Sequence, residues 1–418
     1  MKKLKLAIVT PYPPGKGTLN EYAFHLVEHF KNKPQVEEIC IICEDLEDNS
    51  VYPNVEGKAK VSFKPVWAFN KLSNIFNIYR AIKISKVDMV LLNIHFLSFG
   101  DKKVAAALGL LLPMLLKLSG IKSVVLLHNI IESVDLDAAG ITKNRILQNI
   151  FSFIGTMLTR MILTSDLVAV TISKYVEILN AKYKTNNVAL IPHGTFDLPE
   201  TPDFESSKNE KTIMTFGKFG TYKTVEPLIE AVDAARAKTD IKLKLIIAGT
   251  DNPNRLGYLD KVQSDYAHIE DIEFTGYVEE EDVPKVFLDS DIVVFPYTST
   301  TGSSGVLHQA GSYGKACVIP NIGDLKALIE EEGYVGEYFK PDSAEGLEKA
   351  ILQLVHDDAL RINNAQQNFY ASRGLPMSDI TDWYLIHFSR ILMNTDYEVK
   401  NEKEPVKINR VEFISASI

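Results

Sequence analysis

Short runs of apolar and β-branched residues recur along most of the chain, and segments with helical periodicity separate them. Such runs are typical of strands that are buried on both faces, as in parallel sheets covered by helices. The clearest case lies between Ile292 and Pro320, where runs at Ile292–Pro296 and Ala316–Pro320 flank an apolar helical segment at Val306–Tyr313. A strand, a helix and a second strand in this order predict a βαβ unit. We therefore expect an α/β protein.

The alternation occurs in two rounds. The first predicts strands at Leu6–Thr10, Glu38–Cys43, Asp88–His95, Ser123–Asn129, Asp166–Thr171 and Val188–Ile191, and the second at Ile213–Phe216, Leu243–Ala248, Ile272–Phe274, Ile292–Phe295 and Cys317–Ile319. Helices are predicted at Glu21–Phe30, Val104–Leu116, Ile146–Thr164, Glu226–Ala237, Ala344–His356 and Asp379–Met393. A polar segment between the rounds, Thr195–Lys211, has the composition of a linker. We expect domains at 1–195 and 196–375, a helix at 376–393 and a polar tail at 394–418.

Composition narrows the classes of function. A net charge of -9 and an isoelectric point near 5.6 argue against nucleic acid as a partner. Cys40, Cys43 and Cys317 all lie in apolar runs, which favours buried thiols in a cytoplasmic protein over a zinc site. The most hydrophobic stretch, Val104–Leu116, is shorter than the ~20 residues that span a bilayer. At most, the sequence predicts weak peripheral association with a membrane, at its cytoplasmic face.

Polar loops follow several strands of the second round, at the edge where open α/β sheets bind ligands. The loop Thr298–Gly305 is rich in hydroxyl groups and glycine, and it leads into a helix whose first N–H groups could bind a phosphate. Lys218 and Lys223 follow the first strand of this round, and Gly276–Val278 ends the third. Taken alone, the serine loop could be an ordinary helix cap and the lysines solvated charges. Together, the loops predict a diphosphate site.

This pattern resembles the family 4 retaining glycosyltransferases of the GT-B fold, over residues 4 to 393. The resemblance implies two facing Rossmann-like domains, an N-terminal acceptor domain and a C-terminal donor domain, with the C-terminal helix returning to the first. Lys218 and Lys223 correspond to the arginine and lysine that hold the diphosphate in the family's G-R-L-x-x-x-K-G pattern. The residues that the resemblance places around the nucleotide sugar are Gly15, Gly17, Lys218, Lys223, Tyr277, Val278, Thr301, Ser304, Gly305, Val306, Leu307 and Gln309.

The chain departs from the family at the E-x7-E motif, whose two glutamates correspond here to Thr301 and Gln309. Gln309 can still hydrogen-bond ribose hydroxyls as donor and acceptor. Thr301 supplies no negative charge beside the sugar. Family members with a Ser-Gly-Val-Leu loop, as at 304–307, also lack this pattern, so the departure does not imply loss of activity.

The resemblance also implies a mechanism without a protein nucleophile, in which the acceptor hydroxyl attacks on the face that the diphosphate leaves. Lys218, Lys223 and the amides from Gly305 to Leu307 would stabilise the leaving group in place of a metal ion, so no metal and no cofactor are expected. His128 resembles a histidine near the donor sugar and is the predicted catalytic residue, with a purely structural histidine as the alternative. His95 is interpreted as structural, and His308 as a packing or surface residue.

Three functions stay open from the sequence. The first is a retaining transferase that moves a sugar from a UDP-sugar such as UDP-glucose to a glycan or lipid-linked acceptor in polysaccharide assembly. The second is a GT-B epimerase or phosphorylase, for which the expected residues and the pyridoxal phosphate lysine motif are missing. The third is a degenerate member that binds nucleotide sugars or acts as a scaffold, supported only by Thr301 and Gln309.

Overall fold

The computed structural model describes residues 2–15, 19–96, 98–100, 102–133, 145–196, 201–205, 209–299, 303–341 and 343–393. Its strands are β1 (Leu4–Val9), β2 (Val36–Glu44), β3 (Lys60–Trp67), β4 (Met89–Ile94), β5 (Ser123–Leu127), β6 (Leu167–Val170), β7 (Val188–Leu190), β8 (Glu210–Phe219), β9 (Lys242–Asp251), β10 (Ile272–Gly276), β11 (Ile292–Val294), β12 (Ala316–Pro320) and β13 (Glu337–Phe339). Its α-helices are α1 (Asn20–Phe30), α2 (Asn74–Ser85), α3 (Lys103–Gly109), α4 (Leu112–Leu118), α5 (Arg145–Ile162), α6 (Ser173–Tyr183), α7 (Glu226–Arg236), α8 (Tyr258–Asp265), α9 (Val283–Leu288), α10 (Gly305–Ser312), α11 (Gly323–Glu332), α12 (Ala344–His356), α13 (Asp358–Arg373) and α14 (Met377–Leu392).

The strands form two separate parallel sheets. The first has the order β3-β2-β1-β4-β5-β6-β7, and the second has the order β10-β9-β8-β11-β12-β13. The strand order reverses between β1 and β4 in one sheet and between β8 and β11 in the other. Ligands of such sheets bind beyond the carboxyl ends of the strands at this reversal. The predicted fold, two Rossmann-like α/β domains, is confirmed.

Each sheet is buried on both faces, because alternate residues of its strands pack against helices on opposite sides. In β1, Leu6 and Ile8 face one apolar core, while Ala7 and Val9 face the other. The first of these cores also contains Tyr384 and Phe388 of α14. The C-terminal helix therefore packs on the first domain, as predicted.

Three sequence expectations need correction. The segment Val104–Leu116 forms two helices rather than one, because Pro113 lies in the first turn of α4, where a proline is tolerated, instead of in a helix interior. The edge strand β3 was not predicted, since it contains Pro65, which only an edge strand accommodates. The strand that was expected to end at Phe216 continues to Phe219.

No helix within the described ranges is both long enough and apolar enough to cross a membrane. The predicted polar tail at 394–418 lies outside these ranges.

Candidate functional site

The serine-rich loop leads into a capped helix, as the sequence predicts. The Ser304 hydroxyl accepts a hydrogen bond from the backbone N–H of Leu307 at 3.3 Å, which fixes Gly305 and Val306 in the first turn of α10. The first N–H groups of a helix have no acceptor within the helix and face outward with the positive end of its dipole. This end of α10 can therefore bind an anion. Thr301 lies outside the described residues.

Two lysines of the second domain lie at the same edge of the sheet, at the end of β8, which is the neighbour of the strand β11 that precedes α10. Lys218 is the penultimate residue of β8 rather than part of the following loop, and Lys223 pairs with Tyr297 just after β11. The Lys223 ammonium lies 4.4 Å from the centre of the Tyr297 ring. Burial is the main cause that lowers the pKa of Lys218, and the positive charge of Lys223 is the second. The two cations thus lie close enough to repel each other, which favours an anion between them.

Two histidines of the first domain lie at the opposing sheet edge, immediately after β4 and β5. Burial lowers the pKa of His95 to about 4, and Lys218 contributes to this shift from across the cleft. Burial lowers the pKa of His128 to about 3, with His95 as a further cause. The structure therefore brings His128, His95, Lys218 and Lys223 into one electrostatically coupled group that spans both domains.

His128 is neutral and its ring orientation is fixed. Its Nε2 lies 2.6 Å from Oδ1 of Asn93, whose own amide group donates to the Thr10 hydroxyl at 2.9 Å. Because Asn93 presents an oxygen, Nε2 carries the imidazole proton and Nδ1 is left as an acceptor. The ring also makes an edge contact with Tyr22, at 4.9 Å between ring centres. In this state His128 can orient a sugar hydroxyl but supplies no positive charge of its own.

His308 is buried and packs against the rings of His193 and Tyr334, as one of the two sequence interpretations has it, and it also forms hydrogen bonds that the sequence does not predict. Its Nδ1 lies 2.8 Å from the Ser304 carbonyl oxygen, and its Nε2 lies 2.8 Å from a carboxylate oxygen of Glu332. Both partners are acceptors, so both ring nitrogens must donate. Burial lowers the pKa of His308, but the charge and hydrogen bond of Glu332 outweigh this and raise it. His308 is thus a buried imidazolium that holds the turn at Ser304.

His193, which follows β7, joins the two halves of the site. Its ring stacks on that of His308 at 4.8 Å between centres and makes an edge contact with Tyr22 at 4.7 Å. Nδ1 lies 2.9 Å from the Gly194 carbonyl oxygen, and burial holds the pKa of His193 well below its ordinary value. A column of rings therefore connects His128 of the first domain to His308 of the second. The sequence carried only a weak signal for it, since each histidine stands alone in the chain.

A cavity of about 230 Å³ lies between the domains beside α10. Its lining residues are Glu21, Phe24, His25, His193, Gly194, Phe196, Val283, Pro284, Gly305, His308, Gln309, Ser312 and Tyr313. Within it, the Gln309 amide nitrogen donates to the Glu21 carboxylate of α1 at 2.7 Å. Gln309 therefore points into the interdomain cleft, the direction expected for a ligand contact.

The other residues that were predicted to contact the donor differ in their burial and in their surroundings. A Cβ on Gly15 would lie 2.9 Å from the Tyr12 carbonyl oxygen, closer than a Cβ normally approaches backbone, so a larger residue there would require the loop to shift. Tyr277 is 51% exposed, whereas Val278 packs on the same core as Val306. Neither Tyr277 nor Val278 lines the cavity. Gly17 lies outside the described residues.

The described part of the chain contains no group of three or more histidine, cysteine or acidic side chains arranged to hold a metal ion.

Comparisons with known proteins concern the family and the fold of the chain. Residues 210–357 match the family described as Glycosyl transferases group 1. An uncharacterized glycosyltransferase of Methanocaldococcus jannaschii, MJ1069, is 31% identical over 159 residues, which span 38% of this chain and only 39% of that relative. The match thus covers only about two fifths of the relative's length.

Solved structures resemble nearly the whole chain. The sucrose-phosphate synthase of Thermosynechococcus elongatus superposes with a TM-score of 0.67 at 15% identity, covering 94% of this chain and all of that one. HepE of Anabaena in complex with UDP-glucose gives 0.62 at 14% identity, covering 92% of this chain and 99% of that one. At these identities the likeness establishes the fold, which is GT-B.

Proposed function

We propose that the protein is a retaining glycosyltransferase that moves a hexose from a UDP-sugar, such as UDP-glucose, to a glycan or lipid-linked acceptor in polysaccharide biosynthesis. The observation that carries the proposal is the convergence of Lys218, Lys223 and the start of α10 at one sheet edge, opposite His95 and His128. Cations and helix N–H groups at one place form a site for a diphosphate. The site lies between the domains, where both can contact a donor.

These residues have the following proposed roles in the transfer of the sugar. As the bond between the anomeric carbon and the diphosphate oxygen breaks, negative charge develops on the leaving group. Lys218, Lys223 and the first amides of α10 stabilise that charge. The acceptor hydroxyl forms the new bond on the face that the diphosphate leaves, and its proton passes to a diphosphate oxygen. No protein nucleophile and no metal ion take part.

His128 acts on the sugar rather than on the nucleotide. Because its Nε2 proton is committed to Asn93, Nδ1 accepts a hydrogen bond from a hydroxyl of the donor sugar. That contact holds the anomeric carbon in line with the acceptor as positive charge develops on the ring. The residue is therefore proposed to matter for transfer more than for nucleotide binding.

The UDP-sugar is supported by HepE, which shares the fold and was solved with UDP-glucose. The family match over 210–357 covers the second domain, in which the lysines and α10 lie. These likenesses support a nucleotide-sugar transferase. Retention of configuration follows from the proposed attack on the leaving-group face.

A lipid-linked acceptor is supported by α5. Large apolar side chains on this helix are exposed, with Phe153 68% accessible, and its charged residues are Arg145 and Arg160, without an acidic side chain. An apolar face flanked by arginines suits an anionic membrane surface. Because α5 connects the parallel strands β5 and β6, its first turn lies at the sheet edge that carries His128. A lipid headgroup held there would reach the cleft.

Thermal unfolding with UDP, GDP and ADP tests the donor, because a ligand raises the melting temperature only when it binds the native state. UDP is expected to give the largest shift. Incubation with UDP-glucose and candidate acceptors should then release UDP, and the NMR coupling of the new anomeric proton should show the donor's configuration. A shift without any UDP release across acceptor classes would favour the scaffold alternative. No shift with any nucleotide would refute both.

A further inference from the structure

A buried charged pair holds the carbonyl group of Ser304 from inside the second domain. The carbonyl oxygen accepts hydrogen bonds from the backbone N–H groups of Leu307 at 3.0 Å and His308 at 3.2 Å, and from Nδ1 of the His308 ring at 2.8 Å. Nε2 of that ring lies 2.8 Å from the Glu332 carboxylate, and the two side chains are only 3% and 5% exposed. One peptide carbonyl thus accepts three hydrogen bonds, one of them from an imidazolium.

This carbonyl belongs to the same peptide group as the N–H of Gly305. Because a peptide group is planar and trans, its C=O and N–H bonds point in opposite directions. The carbonyl points into α10, toward His308, so the Gly305 N–H points away from the helix. Among the residues that the structure describes, no acceptor binds this N–H, and Gly305 lines the interdomain cavity. The bond from His308 therefore fixes the direction of a donor that is available to a ligand.

The pair of His308 and Glu332 also adds to the positive end of the helix dipole. The imidazolium lies beside the Ser304 carbonyl and the carboxylate lies behind it on α11, so the positive end of the pair faces the start of α10. Hydrogen bonds in series polarise one another, so a cation on the carbonyl makes the N–H of the same peptide a stronger donor.

The other groups that pack on the pair do not oppose this field. The rings of His193 and Tyr334 contact the His308 ring, at 4.8 Å and 5.6 Å between ring centres. Both are neutral, because burial holds the pKa of His193 well below its ordinary value and that of Tyr334 well above. The charges next to the Ser304 carbonyl are therefore those of the pair.

We propose that His308 and Glu332 are positioning residues of the diphosphate site, which direct the Gly305 N–H toward the anion and strengthen it as a donor. This inference rests on the proposed function and adds to it a charged pair behind the helix start. The pair acts through one peptide group. Its effect is greatest as the bond between sugar and diphosphate breaks, because the negative charge on the leaving group is then largest.

Three variants separate the charge, the hydrogen bond and the general effects of changing α11. Glu332→Gln supplies an amide that can donate to Nε2, so His308 becomes neutral but still donates to the Ser304 carbonyl. His308→Leu combined with Glu332→Leu removes both the charge and the bond, and such replacement of a buried ion pair is often neutral for stability. Glu331→Gln is the matched control, because Glu331 is the adjacent carboxylate of α11 and accepts from the Ser173 N–H at 3.1 Å.

Calorimetry with UDP and with uridine compares these variants, because uridine has no phosphate. Glu332→Gln should bind UDP about fivefold more weakly, the range of one charge near a helix end, and uridine as before. The double leucine variant should lose more UDP affinity at a melting temperature close to the native one. Glu331→Gln should bind both ligands as the native protein does. In ¹⁵N NMR spectra at pH 7, both ring nitrogens of His308 should carry protons in the native protein, but only Nδ1 in Glu332→Gln.

Equal losses of UDP and uridine affinity in Glu332→Gln would show that the pair only supports the fold, and would overturn the inference. Native UDP affinity in the double leucine variant, or a neutral His308 ring in the native protein, would overturn it as well. A native protein that binds no nucleoside diphosphate would refute the proposed function and this inference with it. UDP binding that none of the variants changes would refute the inference alone.

Discussion

Replacing Lys218 with methionine is the sharpest test of the cationic site, because it removes the charge and keeps the length of the side chain. Lys218 lies at the end of β8 and electrostatically influences groups on both sides of the cleft, namely Lys223 and His95. Two effects should follow from this one substitution. The affinity for UDP should fall, and the pKa of His95 should rise.

The magnitudes follow from the contacts. A hydrogen bond between charged groups contributes roughly 1.5–3 kcal/mol, so UDP should bind roughly ten- to hundredfold more weakly. Lys218 and Lys223 repel each other, so removing the charge of Lys218 also removes an unfavourable interaction. The expected loss of UDP affinity therefore lies toward the lower end of that range. The pKa of His95 should rise above about 4 but stay below its ordinary value of 6.5, since burial is the larger cause of its shift and persists.

Isothermal titration calorimetry with UDP and with uridine measures the first effect, and uridine serves as the internal control because it has no phosphate. An NMR titration of the His95 ring measures the second. Lys242→Met, at the exposed start of β9 and far from the sheet edge in question, is the matched control for loss of a lysine. Unchanged UDP affinity together with an unchanged His95 pKa would show that Lys218 does not face the cleft, and the proposed diphosphate site would have to be abandoned.

Four further outcomes are expected. His128→Ala should lower kcat at least tenfold and leave UDP affinity nearly unchanged; native kcat in a folded variant would exclude its role on the sugar. Transfer should persist in EDTA, and rescue by added magnesium or manganese after loss would contradict the metal-free account. Acidification from pH 7 to pH 5 should lower the free energy of unfolding, because burial depresses the pKa of His95, His128 and His193 in the folded protein. Each of them lowers that free energy by about 1.4 kcal/mol per pH unit below its unfolded pKa, and a flat profile would argue against their burial. Phe153→Asp should weaken sedimentation with anionic vesicles, whereas Leu256→Asp, at an exposed apolar side chain of the second domain, should not; equal effects would remove α5 as the contact.

Much of the fold could be predicted because its strands are buried on both faces. Continuous apolar runs such as Val124–Leu127 have few alternatives to a central parallel strand, and their alternation with helices fixes the fold class. The elements that escaped prediction lack this signal. The edge strand β3 mixes polar residues with Pro65, and α13 is rich in asparagine and glutamine, with polar residues such as Asn368 buried in contacts that only tertiary structure reveals.

The contacts of the site also include some that the sequence predicts and others that it does not. The capped turn at Ser304 is a local feature, because its partner, Leu307, is three residues away, and the sequence predicts it. The pairs that shape the site are not local: His308 meets Glu332 from 24 residues away, and Gln309 meets Glu21 from 288 residues away. No spacing rule connects such residues. The sequence interpretation of His308 as a packing or surface residue includes its packing but misses its pairing with Glu332 for this reason.

The two sides of the cleft differ in charge. On the side of the second domain, Lys218, Lys223 and the start of α10 carry positive charge, and His308 holds that turn in place as an imidazolium paired with Glu332. On the side of the first domain, burial and the charge of His95 hold the pKa of His128 low, and Asn93 fixes its tautomer. A charged histidine there would repel the positive charge that develops on the sugar during transfer, whereas a neutral acceptor does not. A diphosphate bound to the cations would in turn raise the pKa of His95, so binding at pH values near 5 should take up protons while His128 stays unprotonated.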